Sequence, residues 1–226
     1  LRFKIENFKK FKDKIIYIPV EDMPDGDDPY VRENYQRNCI SRGIKDAHET
    51  DLIIISDLDE IPNPEQLSSF KIKDRYAVFK QKHFYYKINL QSEANPFWSG
   101  SRICVKKYLK SPQWLRDLKF KKRPFWRIDK LRLNNIIENG GWHFCNLKTP
   151  ENLLYKYKNL CETNDPYHFK EKINQKYLNV NEIKNRIDSR EDLIGRDDRF
   201  KKIKITDDYP KYILENINRL EEWIVK

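Results

Sequence analysis

The stretch Asp51-Leu52-Ile53-Ile54-Ile55-Ser56-Asp57-Leu58-Asp59-Glu60-Ile61-Pro62 constrains this chain more than any other. An almost unbroken apolar run stops there at three carboxylates within four residues. An apolar run of strand length predicts a strand covered on both faces, as in the parallel sheet of an α/β protein. Such a strand delivers the acids to the carboxyl edge of the sheet, where sheets of this kind bind ligands. Carboxylates packed this closely repel one another and call for a cation.

On a regular strand Asp57 and Asp59 would face opposite sides, but a chain leaving the sheet toward Pro62 and Pro64 can turn both to one site. Asp-x-Asp after a buried strand is how many nucleotide-sugar transferases hold a divalent metal on a diphosphate. Its hard oxygen ligands suit Mg2+ or Mn2+. The competing reading is a solvated acidic turn. A Walker B strand would need a Walker A loop, and the glycines, Gly26, Gly43, Gly100, Gly140, Gly141 and Gly195, allow neither that loop nor a dinucleotide fingerprint. A haloacid-dehalogenase-like phosphatase also carries Asp-x-Asp after a strand, with the first Asp as nucleophile. It usually has a small hydroxyl residue where this chain has Ile61.

At 226 residues the chain can bury a real core. It reads as a single domain over 1–226, with an α/β core carrying the metal site over 1–165 and a mainly helical part over 166–226. With 38% hydrophobic, 13% aromatic and 35% charged residues it is a globular chain with a charged surface, not a disordered one. No apolar run approaches the ~20 residues of a membrane span, and the N-terminus does not read as a signal peptide, so a soluble chain in the cytoplasm is expected. The net charge of +10 favours anionic partners. Nucleic acid is not expected among them, because no recognition motif accompanies the spread lysines. Cys39, Cys104, Cys145 and Cys161 show no C-x-x-C spacing and read as buried thiols. His143 and Cys145 stand two apart, but a structural zinc needs two more ligands that the sequence does not offer nearby.

Along the chain, Lys14 to Val20 reads as a short strand. Asp28 and Pro29 start a helix with Val31, Tyr35 and Cys39 as its buried stripe. Tyr76–Phe79 and His83–Ile88 look like two strands, Asn95–Gly100 a loop and Ser101–Val105 a returning strand. Lys106 to Arg132 has no clear periodicity. Asn139-Gly-Gly-Trp-His-Phe144 reads as a loop whose glycines permit positive φ or a close approach. Thr149 and Pro150 cap a helix with Leu153, Leu154, Tyr157, Leu160 and Cys161 at helical spacing, and a polar, helix-prone stretch follows to about Asn185. Asp208-Tyr-Pro210 starts a last helix with Ile213, Ile217, Leu220 and Trp223 on one face.

Two blocks, Ile55-Ser-Asp-Leu-Asp-Glu-Ile-Pro-Asn63 and Gly140-Gly-Trp-His-Phe144 followed by Thr149-Pro-Glu151, resemble glycosyltransferase family 17. That family includes a β-1,4-mannosyl-glycoprotein 4-β-N-acetylglucosaminyltransferase. The likeness extends from Asp27-Asp-Pro-Tyr-Val-Arg-Glu-Asn-Tyr-Gln-Arg-Asn38 through Trp98-Ser-Gly100 to Tyr209-Pro-Lys-Tyr212. It implies a GT-A-like nucleotide-diphospho-sugar transferase fold, here without the opening strand and helix of its relatives. It also implies inverting transfer of a sugar, GlcNAc by expectation, from a UDP donor to a glycan hydroxyl. The eukaryotic relatives are Golgi-lumenal.

On this reading Asp59 is the direct metal ligand, and Asp57 reaches the ribose, a metal-bound water or the metal itself. Glu60 orients a neighbour. His143 is the third metal ligand, against the alternative of a hydrogen-bonded core histidine. Glu151 or Glu138 takes the acceptor's proton, although an acid in a helix's first turn is favoured with no catalysis involved. Arg37 and Arg102 are candidate phosphate contacts, against solvated surface arginines. Gly100 accompanies Trp98 in the donor-binding block, and Trp98 and Trp142 are candidates for stacking on sugar rings, against plugging a core edge. A carbohydrate-binding remnant that kept the fold and lost turnover is the non-enzymatic alternative.

Overall fold

The structure, a computed structural model, describes residues 3–26, 28–119, 135–160, 178–193 and 197–226. Among the described residues seven strands form one mixed sheet: β1 (Leu52–Ile55), β2 (Glu60–Pro62), β3 (Tyr76–Tyr85), β4 (Leu90–Ser92), β5 (Phe97–Val105), β6 (Ile136–Cys145) and β7 (Phe200–Lys202). β3 is the spine. β5 pairs antiparallel along one side of it, β6 parallel along the other, and β4 takes over from β5 near Phe84 and carries β7. β1 flanks β5 and β2 flanks β6, both antiparallel. The chain is therefore α/β with a curled, mixed sheet.

The expectation of a parallel β1 is corrected. Among the described strands β1 pairs only with β5, and it does so antiparallel, with Leu52 exposed at its start. The apolar run still has a cause: Ile53 and Ile55 are buried in one core cluster, while Ile54 packs against another on the opposite face. Residues 15–20 form no strand. Their chain is extended, and Ile18 lies against Gly43.

The two strands expected between Tyr76 and Ile88 are one, β3. Lys80 and Lys82 break the apolar pattern but share a face, while Gln81 turns to the other and bonds Ser101 through both ends of its amide. β5 begins at Phe97, inside the expected loop. The Gly140–Phe144 block, read as a loop, lies within strand β6. Both neighbours of β3 bulge at the same level. The β5 register shifts between Val78 and Lys80, and the β6 register shifts between Phe79 and Gln81, where Glu138, Asn139 and Gly140 oppose Lys80 alone. Bulges bend strands and increase twist, and this sheet needs that curl. Ile55 is level with β5 and Glu60 with β6. In a flat sheet β1 and β2 would stand four strand spacings apart, about 19 Å. The five residue steps from Ile55 to Glu60 span at most about 16 to 18 Å, and they contain a turn in which Glu60 N donates to Asp57 O. Only a curled sheet lets this segment close.

Helices α1 (Pro29–Asn38), α2 (Pro112–Asp117), α3 (Pro150–Asn159), α4 (Val180–Asp188) and α5 (Lys211–Glu215) surround the sheet. Asp28 caps α1 by accepting from Tyr30 N at 2.8 Å, with Pro29 where no N–H is needed. Of its expected stripe, Cys39 is buried just past the helix end and Val31 is exposed. Thr149 caps α3, with Leu153 and Tyr157 buried. Cys161, and the helix-prone stretch as far as residue 177, lie outside the described residues. The expected last helix is divided: α5 stops at Glu215 and a 3-10 segment, Ile217–Trp223, follows. Ile213, Leu220 and Trp223 still pack together against Trp142 and Phe144 of β6.

Candidate active site

The two sequence blocks meet as partner strands. β2 lies against β6 with Glu60 opposite His143, Ile61 opposite Trp142 and Pro62 opposite Gly141. The ladder continues past the strand ends, with Phe144 N donating to Asp59 O and Asn63 N to Gly140 O, each at 2.9 Å. The glycines follow from this pairing. Gly141 has φ +129°, and a Cβ there would stand 2.0 Å from Ile61 O. A Cβ on Gly140 would meet the backbone of Phe79 and Lys80 at 2.7 to 2.8 Å. β6 is held too tightly between β2 and β3 for side chains at these two positions.

The acidic corner is a turn, and it separates its two aspartates. Asp57 faces Arg116, whose Nη2 donates to its Oδ2 at 2.6 Å, and Arg37 Nη2 stands 3.6 Å from its other oxygen. Asp59 faces His143, with Oδ1 3.4 Å from Nε2. Glu60, 4% exposed, is the anchor between them. It accepts two bonds from the Arg116 guanidinium, at 2.6 and 2.9 Å, and one from Trp98 Nε1 at 2.9 Å. Burial works against the charge on Arg116. Hydrogen bonds and the negative charge of Glu60, with Asp57 and Asp59, outweigh burial and hold the guanidinium above its ordinary value.

Around His143 the site is aromatic and buried. The His83 ring stacks parallel on it, with centroids 4.9 Å apart, and the Trp98 ring lies 5.2 Å from His143 and 5.3 Å from His83. Burial first, then the neighbouring His143, lowers the His83 pKa to about 4, so His83 is neutral at physiological pH. His83 Nδ1 is 3.1 Å from Asn95 O. His83 Nε2 and His143 Nδ1 are buried with no hydrogen-bond partner among the described residues. Burial tends to raise the Asp59 pKa, but the hydrogen bond and charge of His143, then the charge of Lys156, lower it below the usual value, so the carboxylate is ionised. Asp59, His143 and Cys145 each offer an atom within 4.8 Å of the other two. A carboxylate, an imidazole and a thiol in one cluster fit a divalent metal.

The remaining candidates are distributed as follows. Arg37 bonds Glu33 at 2.8 Å and lines a cleft of about 880 Å3 with Tyr17, Ile40, Asp57 and Leu58. Arg102 donates to Gly100 O at 2.7 Å, and burial lowers its pKa to about 10. Gly100 lies against Gln81, whose Oε1 would stand 1.6 Å from an added Cβ, and its carbonyl also receives Arg116. Trp98 belongs to the site. Trp142 points to the opposite face of β6, buried in the core with Tyr209. Glu138 is exposed and paired with Lys80 at 3.0 Å. Glu151 is exposed in the first turn of α3, where backbone hydrogen bonding, then Thr149, lowers its pKa. Sequence reasoning missed Arg116, His83, Cys145 and Lys156 as members. Only Cys145 gave a signal, through its i, i+2 spacing from His143.

Comparison with curated proteins and with solved structures finds no match. The family model described as glycosyltransferase family 17 matches residues 2–196, a span that includes both strand-paired blocks, Arg116, His83 and Lys156. That span sets aside the phosphatase reading: the chain belongs to glycosyltransferase family 17.

Proposed function

We propose that this domain transfers a sugar, GlcNAc by preference, from a UDP donor to a carbohydrate hydroxyl with inversion, giving a β linkage. The observation that carries the reading is the β2–β6 pairing, which sets Asp59 against His143 while Asp57, bound by Arg116, lines the neighbouring cleft. An acidic turn at the rim of a curled α/β sheet is what a GT-A-like transferase presents to a nucleotide diphosphate.

In this reading Asp59 and His143 hold a divalent metal, which when bound supplies Lewis-acid stabilisation of the leaving diphosphate. Asp57, held from behind by Arg116, presents its second oxygen toward the cleft for the donor's ribose. Arg37, beside it, offers its guanidinium to a phosphate. Lys156, close enough to lower the Asp59 pKa, adds positive charge where negative charge develops. Trp98 covers the two histidines and offers a ring edge to the sugar. Direct attack opposite UDP inverts an α-linked donor, and the acceptor must give its proton to a carboxylate. We assign that role to Glu151 in preference to Glu138, because Glu138 is bound to Lys80.

The test is to incubate the protein with UDP-GlcNAc or UDP-glucose, a glycan acceptor and a divalent metal, and to read the product's anomeric proton by NMR. Consumption of UDP-GlcNAc in preference, with a β-linked product, is expected, and Asp59→Asn should abolish both transfer and metal-dependent UDP binding. An α-linked product would sink the single displacement. Undiminished UDP binding in Asp59→Asn would remove Asp59 from the mechanism.

A further inference from the structure

Cys145 is the member of the cluster that a metal site made of aspartates would not need. It lies two residues past His143 on the same face of β6. Its sulfur, an imidazole nitrogen of His143 and a carboxylate oxygen of Asp59 lie within 4.8 Å of one another. Ligand atoms about 2.0 to 2.3 Å from a tetrahedral ion stand about 3.3 to 3.8 Å apart. Asp59 Oδ1 and His143 Nε2, at 3.4 Å, already have that spacing. A side-chain adjustment of about an ångström would bring in the thiol.

A further observation points the same way. The second acid that a hard-ion site would recruit, Asp57, is bound by Arg116 at 2.6 Å and is not a member of the cluster. Of the two zinc ligands missing near His143 and Cys145, Asp59 supplies one across the strand pair.

We infer that Asp59, His143 and Cys145 form a three-ligand transition-metal site with one open position, selective for Zn2+ or Co2+ over Mn2+ and Mg2+. The inference rests on reading Asp59 and His143 as metal ligands and deepens it by adding the thiolate. Sulfur is a soft ligand that favours zinc-like ions, whereas Mn2+ and Mg2+ favour oxygen, and a coordinated thiol is deprotonated by its metal. Three protein ligands leave the fourth position for water or a substrate oxygen, as in catalytic zinc sites.

The chelator-treated protein should be titrated with Co2+ and followed by absorption. A near-ultraviolet sulfur-to-cobalt charge-transfer band is expected, saturating at one equivalent, together with the strong visible bands of a four-coordinate ion. Zn2+ should displace the Co2+, and excess Mn2+ should not. Cys145→Ser, checked for folding by its melting curve, should lose the charge-transfer band and weaken Co2+ by more than about a hundredfold, the upper end of what removal of an outer partner costs. Asp59→Asn should weaken Co2+ while keeping the band. Weak octahedral bands identical in wild type and Cys145→Ser would overturn the inference, as would displacement of Co2+ by Mn2+ as readily as by Zn2+. Mn2+-dependent sugar transfer unaffected by Cys145→Ser would overturn it and leave the transferase reading standing. A charge-transfer band with no transfer under any metal would support the site and sink the transferase reading.

Discussion

Glu60 shows what a buried charge requires. At 4% exposure its carboxylate is acceptable only because Arg116, Trp98 and the Asp57 amide saturate it, and Arg116 then carries that order outward to Asp57. Arg116→Ala should therefore cost about 3 to 5 kcal/mol in chemical denaturation, because it strands a buried charge. A loss below about 1 kcal/mol would mean the pair behaves as a solvated bridge. His83 gives a pH dependence. It is neutral in the fold with a pKa near 4, against 6.5 in the unfolded chain, so the unfolded state binds the extra proton between those values. Its contribution is whole above pH 6.5 and is lost as pH falls toward 4, a span worth about 3 kcal/mol. Asp59, with its pKa lowered, adds a loss only at still lower pH. Unfolding measured in chelator from pH 7 to pH 4 should show a steeper loss in wild type than in His83→Gln. Equal slopes would mean that His83 is accessible to protons in the fold.

At the scale of elements, the site is a consequence of one strand pair. β2 and β6 can approach only because Gly140 and Gly141 lack side chains, and a methyl at Gly141 would collide with Ile61 O at 2.0 Å besides straining a φ of +129°. Gly141→Ala should cost at least about 2 kcal/mol of stability and weaken metal binding in proportion, because the register that sets Asp59 against His143 is lost. Calorimetry and metal titration on the same sample would show it. A stable variant with intact metal affinity would mean the pairing is not what positions the site. The sequence displays both blocks, and the caps at Asp28 and Thr149, because each is a local pattern with a local cause. It does not show that the blocks pair, nor that β1 lies antiparallel, since apolar periodicity reports burial and not direction. The Gly-Gly loop turned out to be strand because its glycines answer neighbouring strands, not a bend. Arg116 stayed hidden in a segment without periodicity because its partners, Asp57 and Glu60, are more than fifty positions away.

Across the whole molecule, β6 is held from both faces. His143 and Cys145 look toward the site, while Trp142 and Phe144 look into a core completed by Tyr209, Ile213, Leu220 and Trp223 from the C-terminal residues. The same segment is tied to the spine's end, where Asn89 exchanges hydrogen bonds with the Val225 backbone at 2.8 and 3.0 Å and Ile88 N donates to Trp223 O at 2.8 Å. The site and the C-terminal residues therefore lie on opposite faces of one strand. Removing residues 207–226 strips the buried Tyr209 and Ile213, each worth about 1.5 to 3 kcal/mol of burial, so about 3 to 6 kcal/mol should be lost before the smaller contacts are considered. For a chain of this size that lowers the melting temperature by more than about 6 °C. Metal affinity should fall with it, because Trp142 and Phe144 no longer fix the face opposite His143. Thermal melting with and without Co2+ measures both quantities. A truncated chain that melts lower yet binds Co2+ unchanged would show that β2 and β3 alone hold the ligands in place, and that the C-terminal core serves stability only.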